Sequence, residues 1–152
     1  MTNLACGCPG SNVRTLHRSP SPAPQDPARV PSELRQWPTQ LRLVPPTAPW
    51  LQGADLLVAA DCGPFAYGDY HRDFLKGRVV VNACPKLDEA GPYVEKLAEI
   101  FRQNDLRSIT VAIMEVPCCK GLEVIVRQAL AASGKAIPLD VAVIGVDGER
   151  RQ

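Results

Sequence analysis

Cys62, Cys84 and the vicinal pair Cys118-Cys119 each stand just after a short apolar, β-type run, in Ala60-Asp61-Cys62, Ala83-Cys84-Pro85-Lys86 and Met114-Glu115-Val116-Pro117-Cys118-Cys119. Thiolate sulfur is a soft donor, so an all-cysteine set suits zinc or an iron–sulfur cluster and does not suit magnesium or calcium. Zinc sites are commonly built from Cys-x-x-Cys knuckles. This chain contains none, and its thiols come from separated segments, which favours a cluster over zinc. A lone cysteine after a strand is ordinarily a buried, inert residue. Three such positions in one chain point instead to shared ligation. A redox disulfide within Cys118-Cys119 requires a strained ring and is the weaker reading.

Cys6 and Cys8, in Cys6-Gly7-Cys8-Pro9-Gly10, are spaced so that two sulfurs can face one ion or cluster. They are candidates to complete the same site, replace one of its ligands or build a second. Two residues are candidates to move protons nearby: His71, whose imidazole can also ligate a metal, and Glu115, beside the sulfur-bearing turn. Asp61 and Glu115 flank the sulfur edge, and the more ordinary role of carboxylates at such turns is to bond loop amides. No Ser-His-Asp order, P-loop or Gly-x-Gly-x-x-Gly fingerprint is present, so acyl transfer, nucleotide hydrolysis and dinucleotide binding have no local support.

The segments around these residues alternate between short β-type runs and helical patterns, which predicts repeated β-α units. Strands are expected at 40–44, 55–60, 78–83, 108–114 and 141–146. Val94, Leu97, Ala98 and Phe101 recur at three- and four-residue spacing and predict a helix over 92–104. A second helix is expected over 119–133, ending at Gly134. A short helix is expected at 68–76 and a single turn at 46–52. The expected fold is therefore α/β: a small doubly wound, mostly parallel sheet of about five strands, Rossmann-like. Parallel strands finish at one edge of the sheet, where such folds bind ligands. Topology alone then gathers Cys62, Cys84, Cys118 and Cys119.

Prolines at 20, 22, 24, 27 and 31 make 18–33 read as an extended linker. It separates a cysteine-bearing head, 1–17, from an α/β domain over 34–152. On this reading the head reaches the other thiols only if the proline-rich tether lets it fold back. Trp37 and Trp50 are expected as core or interface anchors. With 152 residues and 45% apolar content, the chain can close a core without disulfide staples. The formal net charge of +1 and the scattered basic residues argue against nucleic acid and anionic membrane as partners. The apolar runs are strand-sized and the N-terminus lacks the plan of a signal peptide. A cytoplasmic location is expected, where six cysteines call for metal or catalysis rather than disulfides.

The run from Trp37 to Gly121 resembles the C-terminal domain of a family of bacterial and archaeal proteins labelled as 4Fe-4S ferredoxins or iron–sulfur cluster-binding proteins. The residues carrying the resemblance are Leu34-Arg35-Gln36-Trp37-Pro38, Ala54-Asp55-Leu56-Leu57, Ala60-Asp61-Cys62, Phe65-Ala66-Tyr67, Phe74-Leu75-Lys76-Gly77, Cys84-Pro85-Lys86-Leu87-Asp88 and Met114-Glu115-Val116-Pro117-Cys118-Cys119. Cys8-Pro9-Gly10-Ser11 is similar to the segment before that domain. The resemblance implies a 4Fe-4S cluster and electron transfer, as a redox protein or a component of an oxidoreductase. The N-terminal Cys-x-x-Cys ferredoxin module of typical members is missing here, so it also implies a redox partner protein, such as a separate ferredoxin. Two alternatives stay open: a zinc-stabilised interaction module docking through Trp37 and Trp50, and a small-molecule redox enzyme with an open cluster position served by His71 or Glu115. A homo-oligomer is compatible with either.

Overall fold

A computed structural model describes residues 12–17 and 29–152. Most of the linker, and Cys6 and Cys8 of the head, lie outside the described residues. The strands are β1 (Arg14–Thr15), β2 (Gln36–Trp37), β3 (Asp55–Ala60), β4 (Val79–Ala83), β5 (Ser108–Met114), β6 (Leu139–Ile144) and β7 (Arg150–Arg151). The helices are a single turn, α1 (Gly63–Ala66), then α2 (Tyr93–Gln103) and α3 (Lys120–Ser133).

β3 and β5 are almost wholly buried along their length, as apolar runs must be when a sheet is covered on both faces. They form the centre of a five-stranded sheet of order β4-β3-β5-β6-β7. The pairings from β4 through β6 are parallel, and β7 closes the far side antiparallel. From β3 the chain moves outward to β4, then returns past β3 to β5 and continues to β6. Right-handed crossovers with opposite directions of travel put their connections on opposite faces. α2 and α3 accordingly pack against each other on one face. The other carries the 61–78 connection, whose Tyr70 and Phe74 stack with ring centroids 4.9 Å apart.

α2 buries Leu97, Ala98 and Phe101 of the expected stripe together with Tyr93 and Ile100, while Val94 is partly buried. α3 buries Leu122, Val126 and Ala129 and ends at Gly134, whose φ of 70° is the left-handed conformation that glycine supplies at a helix end. The expected 68–76 helix is a π-helical turn over His71–Leu75, and the 46–52 turn is a 3-10 turn over Pro49–Leu51.

The expected strand at 40–44 is corrected. Gln40 makes one parallel bridge to Asn82, after which the amides of Leu43 and Val44 both turn back to the Gln40 carbonyl. Leu41 and Val44 are both buried, three residues apart on the inside of a turn, and Pro45 blocks further extension. β1, β2 and β7 were not legible from periodicity, because two residues show none. Gln36 is fully buried. Its side chain donates to the Val80 carbonyl at 2.7 Å and accepts from the Val80 amide at 3.4 Å, standing in for a neighbouring strand along β4. β1 pairs antiparallel with β2, so the end of the head is tied to the domain.

Candidate functional site

The three cysteine-bearing loops leave adjacent strands. Ala60 and Ala83 are level in the β3–β4 register, and Ala59 is level with Ala112 in β3–β5. Neighbouring strands lie about 4.8 Å apart, so the ends of β4, β3 and β5 span roughly 10 Å. The chain leaves β3 toward β4 and leaves β5 toward β6, in opposite directions. The gap between β3 and β5 is therefore the switch point of the sheet, where ligand crevices open in α/β folds. Cys62 stands on one side of it and Cys118-Cys119 on the other.

Local packing brings the loops together. Cys62 precedes α1, whose Gly63 lies against the Tyr70 ring; a side chain there would meet Tyr70 at 3.1 Å. Tyr70 is 2% exposed, so this contact fixes the turn carrying Cys62. Asp61 accepts from Asn82 Nδ2 at 2.6 Å, tying the end of β3 to β4. Gly121, in the first turn of α3, lies against Pro85. The loops after β4 and β5 thus meet across the end of β3.

Cys84 is half-buried and its loop is braced by one carboxylate. Asp88 Oδ2 accepts from the Cys84 amide at 3.0 Å and from the Tyr93 hydroxyl at 2.9 Å. Asp88→Ala removes both bonds, at a cost of about 1–3 kcal/mol. Alkylation of Cys84 by iodoacetamide is expected to speed up several-fold while Cys118 keeps its rate. Unchanged Cys84 kinetics by peptide mass spectrometry would refute this bracing role.

Cys62 and Cys118 are exposed and Cys119 is buried. Burial pushes the Cys119 thiol up, the charges of Cys118 and Cys62 push the same way, and a backbone hydrogen bond at Met114 pulls it down. The Cys118 side chain is within hydrogen-bonding reach of Cys119, and Cys62 is close enough to act on it electrostatically. These three thiols share one electrostatic neighbourhood. Among the described residues, no three His, Cys, Asp or Glu side chains are gathered tightly enough to hold a single metal ion.

The two expected proton carriers have other partners. Glu115 accepts from Arg151 Nε at 2.9 Å and from the Val146 amide at 3.1 Å. The Arg151 guanidinium, then the Val146 amide, hold its carboxyl below the usual carboxylate range. It is an anchored anion joining the end of β5 to the β6–β7 turn. His71 Nδ1 accepts the Glu33 amide at 3.0 Å and holds the chain leading into β2. Trp50 is half-buried against the core.

Sequence reasoning missed the apolar rim of this edge. Phe65 is 93% exposed, Leu87 84% and Val146 69%, each in the loop after β3, β4 or β6. Their position directly after strand-end cysteines or a strand end was the available signal. A pocket of about 210 Å³ lined by Arg42, Glu89, Pro92, Tyr93 and Lys96 includes none of the thiols. Lys96 donates to the Arg42 carbonyl at 2.7 Å, and burial lowers its pKa to about 8. No described helix is long and apolar enough to cross a membrane.

A model of the Rossmann-like domain family matches residues 48–151. An uncharacterized protein of Archaeoglobus fulgidus is 34% identical over 116 residues, covering 76% of this chain and 81% of that protein. No solved structure matches the chain. The resemblance to an iron–sulfur or ferredoxin family is thereby corrected: the match is to a Rossmann-like domain, and no ferredoxin or iron–sulfur family is found. The shared-looking motifs are the strand ends and first turns of an α/β sheet, and the Cys-x-x-Cys module that defines a ferredoxin is absent from this sequence.

Proposed function

The chain belongs to the Rossmann-like domain family, and from that premise we propose that its thiol-lined switch point holds an iron–sulfur cluster and passes electrons to a redox partner protein. One observation carries the reading: Cys62, Cys84, Cys118 and Cys119 converge at the carboxyl ends of three adjacent parallel strands, at the place where this architecture binds its ligands.

The donor set fits such a group. It is all sulfur, it comes from three separate loops, and three of its members interact electrostatically. A tetrahedral zinc ion with Zn–S bonds of about 2.3 Å draws its sulfurs within roughly 4 Å of one another. A cluster spreads its thiolates over several irons and accepts wider spacing. The amides opening α3 point toward the Cys118-Cys119 end and favour negative charge there. When bound, the cluster supplies one-electron chemistry; the protein supplies the ligands, the partly buried surroundings and the apolar rim.

Anaerobic purification or reconstitution, with iron, acid-labile sulfide and zinc quantified and spectra taken before and after reduction, tests the reading. Iron and sulfide together with absorption near ~400 nm from thiolate-bound iron are expected. One zinc per chain with no redox response assigns the thiols a structural role, and a chain with neither metal ends the proposal.

A further inference from the structure

The pocket that excludes the thiols is lined by an amine, a guanidinium and a carboxylate. Lys96 stands in the first turn of α2, Arg42 comes from the turn that follows Gln40, and Glu89 from the loop after β4, with Pro92 and Tyr93 completing the wall. Its volume of about 210 Å³ is far above the roughly 10–15 Å³ that one water needs, so it admits a molecule of several heavy atoms.

Lys96 Nζ donates to the Arg42 carbonyl at 2.7 Å. That bond pins the end of a long side chain and, in the neutral amine, leaves the lone pair directed away from the carbonyl oxygen. Arg42 also brings its guanidinium to the pocket. Its ion pair with Glu89 is long, 3.9 Å, and both side chains are largely exposed. Such a pair contributes little, so an incoming carboxylate can take the guanidinium in a bidentate grip. The other nearby charges are engaged: Asp88 accepts from the Tyr93 hydroxyl and the Cys84 amide, and Glu95 and Glu99 pair with Arg102. Arg42 and Glu89 are the charges that line the pocket with Lys96. Burial, then the Arg42 guanidinium, lowers the Lys96 pKa to about 8. Near neutrality about one such amine in ten is unprotonated, against well under about one in a thousand for an ordinary lysine. A lysine in this state is a nucleophile toward carbonyl carbon.

We propose that this pocket takes a small aldehyde or ketone that carries a carboxylate, with Arg42 gripping the anion and Lys96 forming an imine with the carbonyl. The neutral Nζ attacks the carbonyl carbon, and the carbonyl oxygen becomes the hydroxyl of a carbinolamine by taking a proton released from nitrogen. That hydroxyl leaves with the second nitrogen proton as the C=N bond closes. The carbonyl oxygen and both amine protons thus depart as one water, and nothing is oxidised or reduced. The site is separate from the cysteines and does not depend on what they bind.

Trapping tests it. The full chain is incubated near neutral pH with succinic semialdehyde or with butanal, aldehydes of equal length that differ in a terminal carboxylate. Imines are reduced with cyanoborohydride and mapped by mass spectrometry after digestion. Lys96 is expected to be labelled about tenfold or more faster than Lys76, Lys86, Lys120 or Lys135, in keeping with its larger free-amine fraction. Its rate should rise with pH and level off above about 8, and succinic semialdehyde should outpace butanal several-fold. Arg42→Gln keeps the backbone carbonyl that Lys96 bonds. It should abolish the preference for the carboxylate and, by removing a cation that holds the Lys96 pKa down, move the pH profile upward. Labelling of Lys96 no faster than of the other four lysines, as in urea, overturns the proposal. Equal rates for the two aldehydes, or a carboxylate preference that survives Arg42→Gln in a chain folded by circular dichroism, overturn it as well.

Discussion

Cys62→Ser is expected to lower the affinity for reconstituted iron by more than tenfold. Loss of a group that merely orients a metal ligand costs about 10–100-fold, and a ligand costs at least as much. Cys62 is the most informative of the four because it leaves the middle strand of the three and is the thiol across the switch point that acts on Cys119. Its removal separates Cys84 from the Cys118-Cys119 pair. The residue is exposed and at the start of a loop turn, so the fold should be indifferent to the change, and circular dichroism with urea unfolding checks that it is. Iron retained against a graded chelator is the readout. Full retention by a folded Cys62→Ser chain would remove Cys62 from the site.

Phe101→Ala should cost about 3–5 kcal/mol. The ring is fully buried on α2, the helix that packs against both the sheet and α3. Truncation leaves a cavity where two layers meet. Domains of this kind are stable by roughly 5–15 kcal/mol in all, so with a urea m-value of about 2 kcal/mol/M the midpoint falls by roughly 2 M. Phe101→Leu retains most of the volume and should fall between wild type and alanine. A loss below about 1 kcal/mol for the alanine variant would contradict this packing. The effect reaches the site, because α3 carries Cys119 at its start and is held in place partly by α2.

The parts of the fold that sequence exposed are those with long-range repetition. Leu56 through Ala60 is an unbroken apolar run, and Ile109 through Met114 is broken only by the buried Thr110, because both faces of the central sheet are covered; the bounds of both strands came out as expected. The α2 stripe was legible for the same reason, its positions recurring at helical spacing. What stayed hidden depends on single partners distant in sequence. Nothing in Leu34-Arg35-Gln36 indicates that one amide side chain will pair with Val80 along a strand edge. A pair such as Thr15 and Gln36 carries no period. At the site, the strand-end positions of the cysteines were readable, since they follow from where each apolar run stops. Tyr93, Asp88 and the Gly121–Pro85 contact were not, because each depends on how loops cross after the sheet has formed. Reading kinship from the loop motifs failed for a related reason: strand ends and first turns of α/β sheets look alike whatever they bind.

The pairing of Gln36 with Val80 has a consequence for how the molecule behaves in a crowd. An open strand edge is a template on which another chain can add a strand, the step that begins edge-to-edge aggregation. Here the outer side of β4 is taken by the Gln36 amide and the Gln40 bridge. The side of β6 is covered by a two-residue strand made of Arg150 and Arg151, both exposed. A short, charged strand over Val143 and Ile144 on one flank and a side-chain plug on the other confine the open edge, among the described residues, to the start of β6. Sheet extension from the β4 side is thereby blocked, and concentrated solutions should resist fibre formation along that edge.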